Sequence, residues 1–453
     1  MLLQKRKKSS LSFSTIRFIF FIFCIPDVLE KVEDRFSLSI PSSLEISFVH
    51  LNDYSHFLGM IHEGKVSTLH ALEMFSFSSS IQKYSSPCRS IFDDLDRATR
   101  LSLLVESWGT MRLAYKALEL STPSIFFDTT GCAFTYVVAK VLFGCKVIAY
   151  VHYPTISTDM LSMVWERRRA TYNNQASITG SRIKTAIKLI YYSIFACLYG
   201  IVGSLCDLVF VNSTWTFNHI NSLWWLVALR RRIRILFPPC RISTPNQHNG
   251  RQEQQSNKRE KIVLSIGQFR PEKDHELQIE SVSLLFKNHP ELKGQVKLVL
   301  VGGCRGPSDE ERLGYLKTMT KKLGLEDSVV FSVNQPYSVV EDWLRRASVG
   351  IHTMWNEHFG IGVVEMMSAG LITIAHDSGG PKSDIIVPQD GQPTGLLASS
   401  AEAYSDALYQ AFTMNAEEAA ELRRRAQSSA TRFSDEQFVS SFKKEILESR
   451  ILS

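Results

Sequence analysis

Asn356-Glu357-His358-Phe359-Gly360-Ile361-Gly362-Val363-Val364-Glu365-Met366-Met367-Ser368-Ala369-Gly370 joins a charged loop, a glycine turn and an apolar helix in one piece. Glu357 and Glu365 lie eight apart, with Gly360 and Gly362 between them and apolar residues from Ile361 onward. The first carboxylate therefore precedes the turn and the second lies inside the helix, so the two have different jobs. A helix starting near Gly362 offers unpaired backbone N–H groups and the positive end of its dipole, and glycine lets a diphosphate approach that backbone closely. Glu365, one turn in, is placed to accept hydrogen bonds from ribose hydroxyls. The pattern reads as a nucleotide-sugar site. A buried helix with solvated glutamates is the plain alternative for an isolated E-x7-E. A glycosidase acid/base pair is the sharper rival, but its carboxyls must lie about 5 to 10 Å apart, whereas eight helical residues span about 12 Å.

A second motif supports the first. Lys261-Ile-Val-Leu-Ser-Ile-Gly267-Gln-Phe-Arg270-Pro-Glu-Lys273-Asp-His runs as a strand, a glycine turn, two cations and an N-cap aspartate. Arginine binds phosphate through two N–H groups and lysine as a point charge, and either stabilises a leaving nucleoside diphosphate. Gly302-Gly303 and Ser378-Gly379-Gly380-Pro381 mark two further turns in the same half; the latter is either a second anion-binding helix start or a plain loop. In the first half, Ala149-Tyr150-Val151-His152-Tyr153-Pro154 places His152 at the C-terminal edge of a strand, where open α/β sheets bind ligands. Asn212-Ser213-Thr214 matches a glycosylation acceptor, but Ser213 reads better as the cap of the next helix.

From about residue 124 short apolar runs alternate with helical patterns, the mark of a parallel sheet wrapped by helices. Strands are expected at 124–127, 146–151, 207–211 and 234–236. After a polar, aperiodic stretch a doubly wound series follows, with strands at 262–265, 296–301, 329–332, 349–353 and 372–375. Its helices are expected at 274–286, 309–323, 339–346 and 363–369. Asn415 with Glu418 and Ser434 with Gln437 fit capping boxes that start two late helices. The resulting division is 1–30 as a basic and apolar N-terminal segment, an anchor or unrelated sequence; 31–241 as an acceptor-side Rossmann-like domain, incomplete at its start; 242–260 as a linker; 261–430 as a nucleotide-sugar-binding domain; and 431–453 as a C-terminal helix.

With 453 residues the chain is long enough for two cores. A net charge of +6, with the compact basic runs confined to Lys5-Arg6-Lys7-Lys8 and Arg230-Arg231-Arg232, excludes a nucleic-acid binder. The eight cysteines show no C-x-x-C and no metal-ligand spacing, so free thiols and no structural zinc are expected. No G-x-G-x-x-G follows a strand, which argues against a nicotinamide oxidoreductase. Two apolar runs bear on membranes. Residues 16–25, broken by Arg17, are short for a span; residues 189–205 carry no charge and read as a core helix or as a helix lying in the membrane interface.

Together the motifs resemble the retaining GT-B glycosyltransferases that use E-x7-E. More narrowly, YVHYPTISTDML from Tyr150, VNSTWT from Val211, SIGQFRPEKDH from Ser265 and NEHFGIGVVEMMSAG from Asn356 resemble the α-1,2-mannosyltransferases of the dolichol pathway. The resemblance covers about residues 95–450. It implies two Rossmann-like domains facing a cleft, with C-terminal helices returning to the first. It also implies GDP-mannose as donor, dolichyl-diphosphate Man3GlcNAc2 as acceptor and no metal. The fourth and fifth mannoses would be added at the cytoplasmic face of the endoplasmic reticulum membrane, with other mannosyltransferases of the pathway as partners. Carried over by motif, Arg270 and Lys273 would hold the diphosphate, Glu365 the ribose and Glu357 the mannose hydroxyls. The Phe359-Gly360-Ile361-Gly362 backbone would cradle phosphate and sugar, and His152 would meet the mannose at the reacting carbon or its 6-hydroxyl. The chain departs from that pattern at Gly267-Gln268, where the wider family has Gly-Arg, and in lacking a recognisable glycine run after its first strand. The second reading is therefore a truncated or non-catalytic GT-B protein that binds nucleotide sugar or partner enzymes without transfer.

Overall fold

The computed structural model describes residues 16–22, 44–50, 70–73, 102–120, 122–157, 182–242, 259–449 and 451. The basic run at 5–8, the serine-rich stretch 76–90, the arginines at 167–169 and most of the expected linker, 243–258, lie outside these residues.

The first half runs β1 (Ile16–Ile22), β2 (Leu44–His50), β3 (His70–Glu73), α1 (Ser102–Leu120), β4 (Ile125–Asp128), β5 (Lys146–Val151), α2 (Arg182–Gly203), β6 (Leu208–Val211), α3 (Thr214–Leu223), α4 (Trp225–Leu229) and β7 (Ile233–Ile235). Its strands form one parallel sheet in the order β3-β2-β1-β4-β5-β6-β7. The second half runs β8 (Glu260–Ile266), α5 (His275–Asn288), β9 (Lys297–Gly302), α6 (Pro307–Lys322), β10 (Val329–Val333), α7 (Tyr337–Arg346), β11 (Ala347–His352), α8 (Ile361–Ser368), β12 (Ile372–His376), β13 (Leu396–Ala398), α9 (Ala401–Thr413), α10 (Ala416–Ala430) and α11 (Asp435–Ser449). Its sheet is also parallel, in the order β10-β9-β8-β11-β12-β13. In each sheet the strand order reverses beside the first strand, and that reversal opens the crevice in which doubly wound sheets bind ligands.

The described part of the apolar run at 16–25, expected as an anchor or unrelated sequence, supplies β1, between β2 and β4. The first sheet thus begins before residue 31. A seven-residue run rich in Ile and Phe suits a parallel strand as well as it suits an anchor, and hydropathy does not separate them.

Alternation along the strands sorts their side chains onto two faces. In the first sheet Phe126, Val147, Ala149, Val209 and Val211 pack under α1, α2 and α3. Ile125, Phe127, Ile148, Tyr150, Leu208 and Phe210 face the other way, where Phe438, Phe442 and Ile446 of α11 cover them. The last helix of the chain therefore returns to the first half, and Ser434 caps it by accepting the Gln437 N–H at 3.3 Å.

Helix α2 packs by one side only. Phe195 and Tyr199 are buried, and Gly200 and Gly203 let the helix press on the next turn: a Cβ at Gly200 would stand 2.3 Å from the Leu223 carbonyl oxygen. Ile187, Ile190, Ile194, Leu198 and Ile201, spaced three and four apart, form an exposed stripe on it. Among the described residues this is the one helix long and apolar enough to cross a membrane, with 22% of its Ala186–Gly203 window buried. The core-helix expectation thus holds for one side of α2 and fails for the other.

Candidate active site

The site forms where the second sheet's strand order reverses, between the loops after β8 and β11. At the end of β8 the chain turns through Gly267, held by the Gly267 N–H on the Val301 carbonyl at 2.9 Å. Gly302 must be glycine here, because a Cβ on it would stand 1.9 Å from the Gly267 carbonyl oxygen. The 3-10 turn Pro271–Lys273 follows, and Asp274, in the left-handed region at φ 46°, caps α5 by accepting the Leu277 N–H at 3.3 Å. Thr353, just past β11, donates to the Lys273 carbonyl at 2.9 Å and accepts from the Gln278 amide at 2.8 Å. These bonds bring the cation loop against the carboxylate loop.

Lys273 Nζ then reaches Glu357 Oε2 at 2.5 Å and the Met354 sulfur at 3.2 Å. His352 Nε2 lies 3.1 Å from the same Glu357 oxygen, while Oε1 accepts the His358 N–H at 3.2 Å. Burial alone would push the Glu357 carboxyl up. The His352 hydrogen bond and the Lys273 ammonium outweigh it and hold the carboxyl well below the usual carboxylate range, so Glu357 is ionised at neutral pH.

The Glu357 loop is braced from behind by the Ser378-Gly379-Gly380-Pro381 turn. A Cβ on Gly379 would stand 2.3 Å from the Glu357 carbonyl oxygen, and one on Gly380 would stand 2.6 Å from Phe359 Cα. The Gly380 N–H donates to the Glu357 carbonyl at 2.8 Å, and the Asn356 N–H to Ser378 Oγ at 2.8 Å. Of the two readings left open for this stretch, a helix start and not a plain loop is present, since the short π-helix Pro381–Ile385 begins here with Pro381 in its first turn, and its glycines brace the Glu357 loop. Gly360, at φ 111°, opens α8 without a side-chain cap; the Ile361 and Gly362 N–H groups precede the first bond of the helix, which the Val363 N–H makes to the Gly360 carbonyl at 3.0 Å.

A cavity of about 310 Å³ lies in front of this loop. Its walls include Lys273, Glu357, Phe359, Gly360, Ile361 and Gly362 from the second half, and His152, Tyr153 and Asn212 from the first. The structure thus gathers seven of the nine sequence-derived site residues in one place. Arg270 and Glu365 stand outside the lining. Arg270 extends toward Glu272 at 4.0 Å. Glu365 is half-buried on α8 close to Tyr337, whose phenol burial and then the Glu365 charge push up. The Arg241 guanidinium lies over that Tyr337 ring at 4.0 Å, beside the edge expected to hold ribose.

His152 leaves the end of β5 with its ring edge against Tyr150 at 4.4 Å, and its carbonyl accepts the Asn212 amide at 2.9 Å. The ring opens onto the cleft, yet the protein packed around it pushes its titration below the ordinary 6.5, so the imidazole is neutral at pH 7. Asn212 is buried, and its Oδ1 accepts the Thr216 hydroxyl at 2.7 Å, which leaves a holder of His152 in place of the glycosylation acceptor. Ser213 caps α3, accepting the Thr216 N–H at 3.0 Å.

Contacts across the cleft join the two halves. The Thr214 N–H and hydroxyl both donate to the Asp384 carboxylate, at 2.9 and 2.5 Å. The His358 ring sits 4.2 Å from Tyr153 and 4.9 Å from Trp215. Sequence reasoning missed His352, Tyr153, His358 and Asn212 as site residues. His352 ends an apolar strand and has no local pattern of its own. His358 adjoins Glu357 within the deciding motif, and Tyr153 and Asn212 lie in motifs already singled out, so their neighbours were the available signal.

Residues 89–224 match the family described as the ALG11 mannosyltransferase N-terminus, and residues 246–431 match the glycosyl transferases group 1. The chain is similar to the GDP-Man:Man(3)GlcNAc(2)-PP-Dol alpha-1,2-mannosyltransferase of Xenopus laevis, 45% identical over 80% of this chain and 74% of that protein. The Mus musculus protein of the same name is 44% identical over 76% of this chain and 69% of its own length. Among solved structures, an alpha,alpha-trehalose 6-phosphate synthase from Burkholderia multivorans aligns over 96% of this chain and 98% of its own at a TM-score of 0.66 and 10% identity. Anabaena HepE with UDP and glucose aligns over 96% and 99% at a TM-score of 0.56 and 13% identity. At such identities the likeness speaks for the fold alone, and that fold is GT-B.

Proposed function

Because this chain belongs to the family of GDP-Man:Man(3)GlcNAc(2)-PP-Dol alpha-1,2-mannosyltransferases, we propose that it transfers mannose from GDP-mannose, with retention, onto dolichyl-diphosphate Man3GlcNAc2. The products are the α-1,2 linkages of the fourth and fifth mannoses. The observation that carries this reading is a cavity lined by one ionised carboxylate, Glu357, with Lys273 beside it and a neutral His152 on the facing half.

In this scheme the charge growing on the departing GDP is met by Lys273, by the free N–H groups at the start of α8 and by Arg270, which has to turn inward from Glu272. No metal takes part. Glu357 accepts hydroxyls of the mannose, Glu365 those of the ribose, and His152 faces the reacting carbon. A glycosidase needs a second carboxyl across the bond. Among the described residues Glu357 is the sole carboxylate in the lining, and its Oε2 is already engaged by two donors, which suits a hydroxyl acceptor.

The acceptor's dolichyl chain stays in the bilayer, so the enzyme works at a membrane surface. We assign that contact to the exposed stripe of α2, to Trp225 and Leu229 on the adjoining α4 and to the exposed Arg230 and Arg231 that follow, apolar area flanked by cations. The cytoplasmic face of the endoplasmic reticulum, alongside the pathway's other mannosyltransferases, fits that contact and a cytosolic nucleotide-sugar donor.

The test is transfer of labelled mannose from GDP-mannose to a phytanyl-diphosphate Man3GlcNAc2 acceptor by the chain in detergent. Product that α-1,2-mannosidase trims back supports the reading. Saturable GDP-mannose binding with no transfer selects the non-catalytic alternative.

A further inference from the structure

Glu357 does not hold its position alone, and one of its two holders has a second claim on it. A carboxylate oxygen offers two lone pairs. On Oε2 they are taken by Lys273 and His352, whereas Oε1 accepts the His358 N–H and keeps one direction for a ligand hydroxyl. Lys273 donates besides to the Met354 thioether, a weak acceptor that a phosphate oxygen readily displaces. In the proposed function Lys273 serves the diphosphate, so its hold on Glu357 loosens when donor arrives. His352 has no such competing duty. Its side chain is 7% exposed, and its Nδ1 is buried without a partner among the described residues. A proton on Nδ1 would be an unsatisfied buried donor, so the proton sits on Nε2 and points at Glu357. Tyr404 fixes the His352 backbone by donating its hydroxyl to the carbonyl at 2.8 Å.

We propose that His352 is a positioning residue of the transfer site: it keeps the Glu357 carboxylate aimed at the donor mannose while Lys273 turns to the diphosphate. This rests on the mannosyltransferase reading, and it concerns the sugar and not the nucleotide. GDP, which lacks the sugar, separates the two.

The experiment compares His352→Phe, which keeps a ring and removes the donor, with His352→Gln, whose amide N–H reaches where Nε2 lies. Affinities for GDP and for GDP-mannose are measured on the full chain, with kcat for transfer. The Phe variant is expected to bind GDP within about twofold of the parent, to lose the extra affinity that mannose confers, and to drop in kcat by roughly 10- to 100-fold, the effect of one hydrogen bond to a charged group. The Gln variant is expected to recover most of both. If the Phe variant fails to fold, His352→Asn takes its place, because its shorter amide falls short of Glu357. Unchanged kcat and an unchanged GDP-mannose to GDP ratio in the variant lacking the donor overturn the proposal, as does an equal loss of GDP affinity, GDP-mannose affinity and melting temperature. A parent chain that neither binds nor transfers mannose sinks the functional reading, and the inference with it.

Discussion

The two walls of the cleft are built from sheets of the same strand order, yet one meets the cavity with charge and the other with rings. The second-half wall presents Lys273 and Glu357, already paired, and places them by backbone contacts that only glycine permits, at Gly302 and Gly379. The first-half wall presents His152 and Tyr153, with Trp215 near by, and its buried carboxylate among the described residues, Asp128, is not in the lining. Burial pushes the Asp128 carboxyl up, and Thr130 and Tyr136 satisfy it at 2.6 Å each. On the proposed function the difference follows from what each wall would handle. Lys273 would meet the charge growing on the departing diphosphate from a place settled before donor binds, since reorganising it during the reaction would raise the barrier. His152 and Tyr153 would offer the uncharged sugar a neutral imidazole and ring surface.

The sharpest way to break this comparison is to discharge the charged wall. Glu357→Ala is expected to lower transfer by roughly 10²- to 10³-fold, the scale for removing one preorganised polar contact, while far-ultraviolet circular dichroism stays that of the parent. Normal transfer by this variant would remove Glu357 from the donor site. The pH dependence has a definite sign. The folded value of Glu357 lies below its ordinary 4.5, so its stabilising contribution is full above about pH 4.5 and is lost as pH falls from there toward the folded value. Glu357→Gln should therefore be less stable than the parent near neutrality and approach it as pH falls below 4.5, so that its acid limb is flatter, as followed by urea melts at each pH.

A second prediction tests whether the charged wall is held by close backbone approach. Gly379→Ala places a methyl 2.3 Å from the Glu357 carbonyl, on a backbone at φ 61°. A shift of the Glu357 loop must follow, with a loss of roughly 2 to 4 kcal/mol in unfolding free energy. Gly391 is the control, since it also has positive φ, 76°, but nothing lies within 4 Å of its added carbon. Gly391→Ala is expected to cost about 1 kcal/mol from backbone strain alone. Equal losses in the two variants, read from thermal or urea melts, would mean that φ and not contact with the loop sets the requirement.

The charged wall was also the more legible one. All five strands and four helices expected between residues 262 and 375 are present within a few residues of their expected ends, because each strand is a short apolar run and each helix starts at a glycine, a proline or an aspartate cap. Lys273 and Glu357 were recognisable since each sits in a strand-turn-helix motif whose geometry is local. What the sequence concealed is long-range. No spacing rule links Lys273 to Glu357, 84 residues away, and their pairing appears only once β8 and β11 lie side by side. His352 was hidden because a histidine ending an apolar strand has many structural uses. In the first half, β1 reads from sequence as part of an anchor or unrelated segment, because a short run of Ile and Phe does not distinguish these from a parallel strand. Helix α2 was read in part correctly: composition told that it is apolar, while only packing tells which side is covered.

That helix gives the smallest predicted effect and the one that separates a wall's chemistry from its location. Ile190 and Ile194 are about 60% exposed and touch the solvent side of α2, away from the buried Phe195 and Tyr199. Replacing both with serine removes little packing, so unfolding free energy in detergent-free buffer should stay within about 0.5 kcal/mol of the parent. Transfer to a short-chain soluble acceptor should be unaffected, because neither residue lines the cavity. Flotation with vesicles containing anionic lipid should fall about tenfold, since two isoleucines leaving the interface forfeit on the order of 1 kcal/mol or slightly more in apolar burial. Salt should weaken the remaining binding through Arg230 and Arg231, whose attraction to headgroups is screened over about 10 Å at 0.1 M. Vesicle binding equal to that of the parent would move the membrane contact off α2, and a fall in transfer to the soluble acceptor would mean that the stripe belongs to the acceptor path.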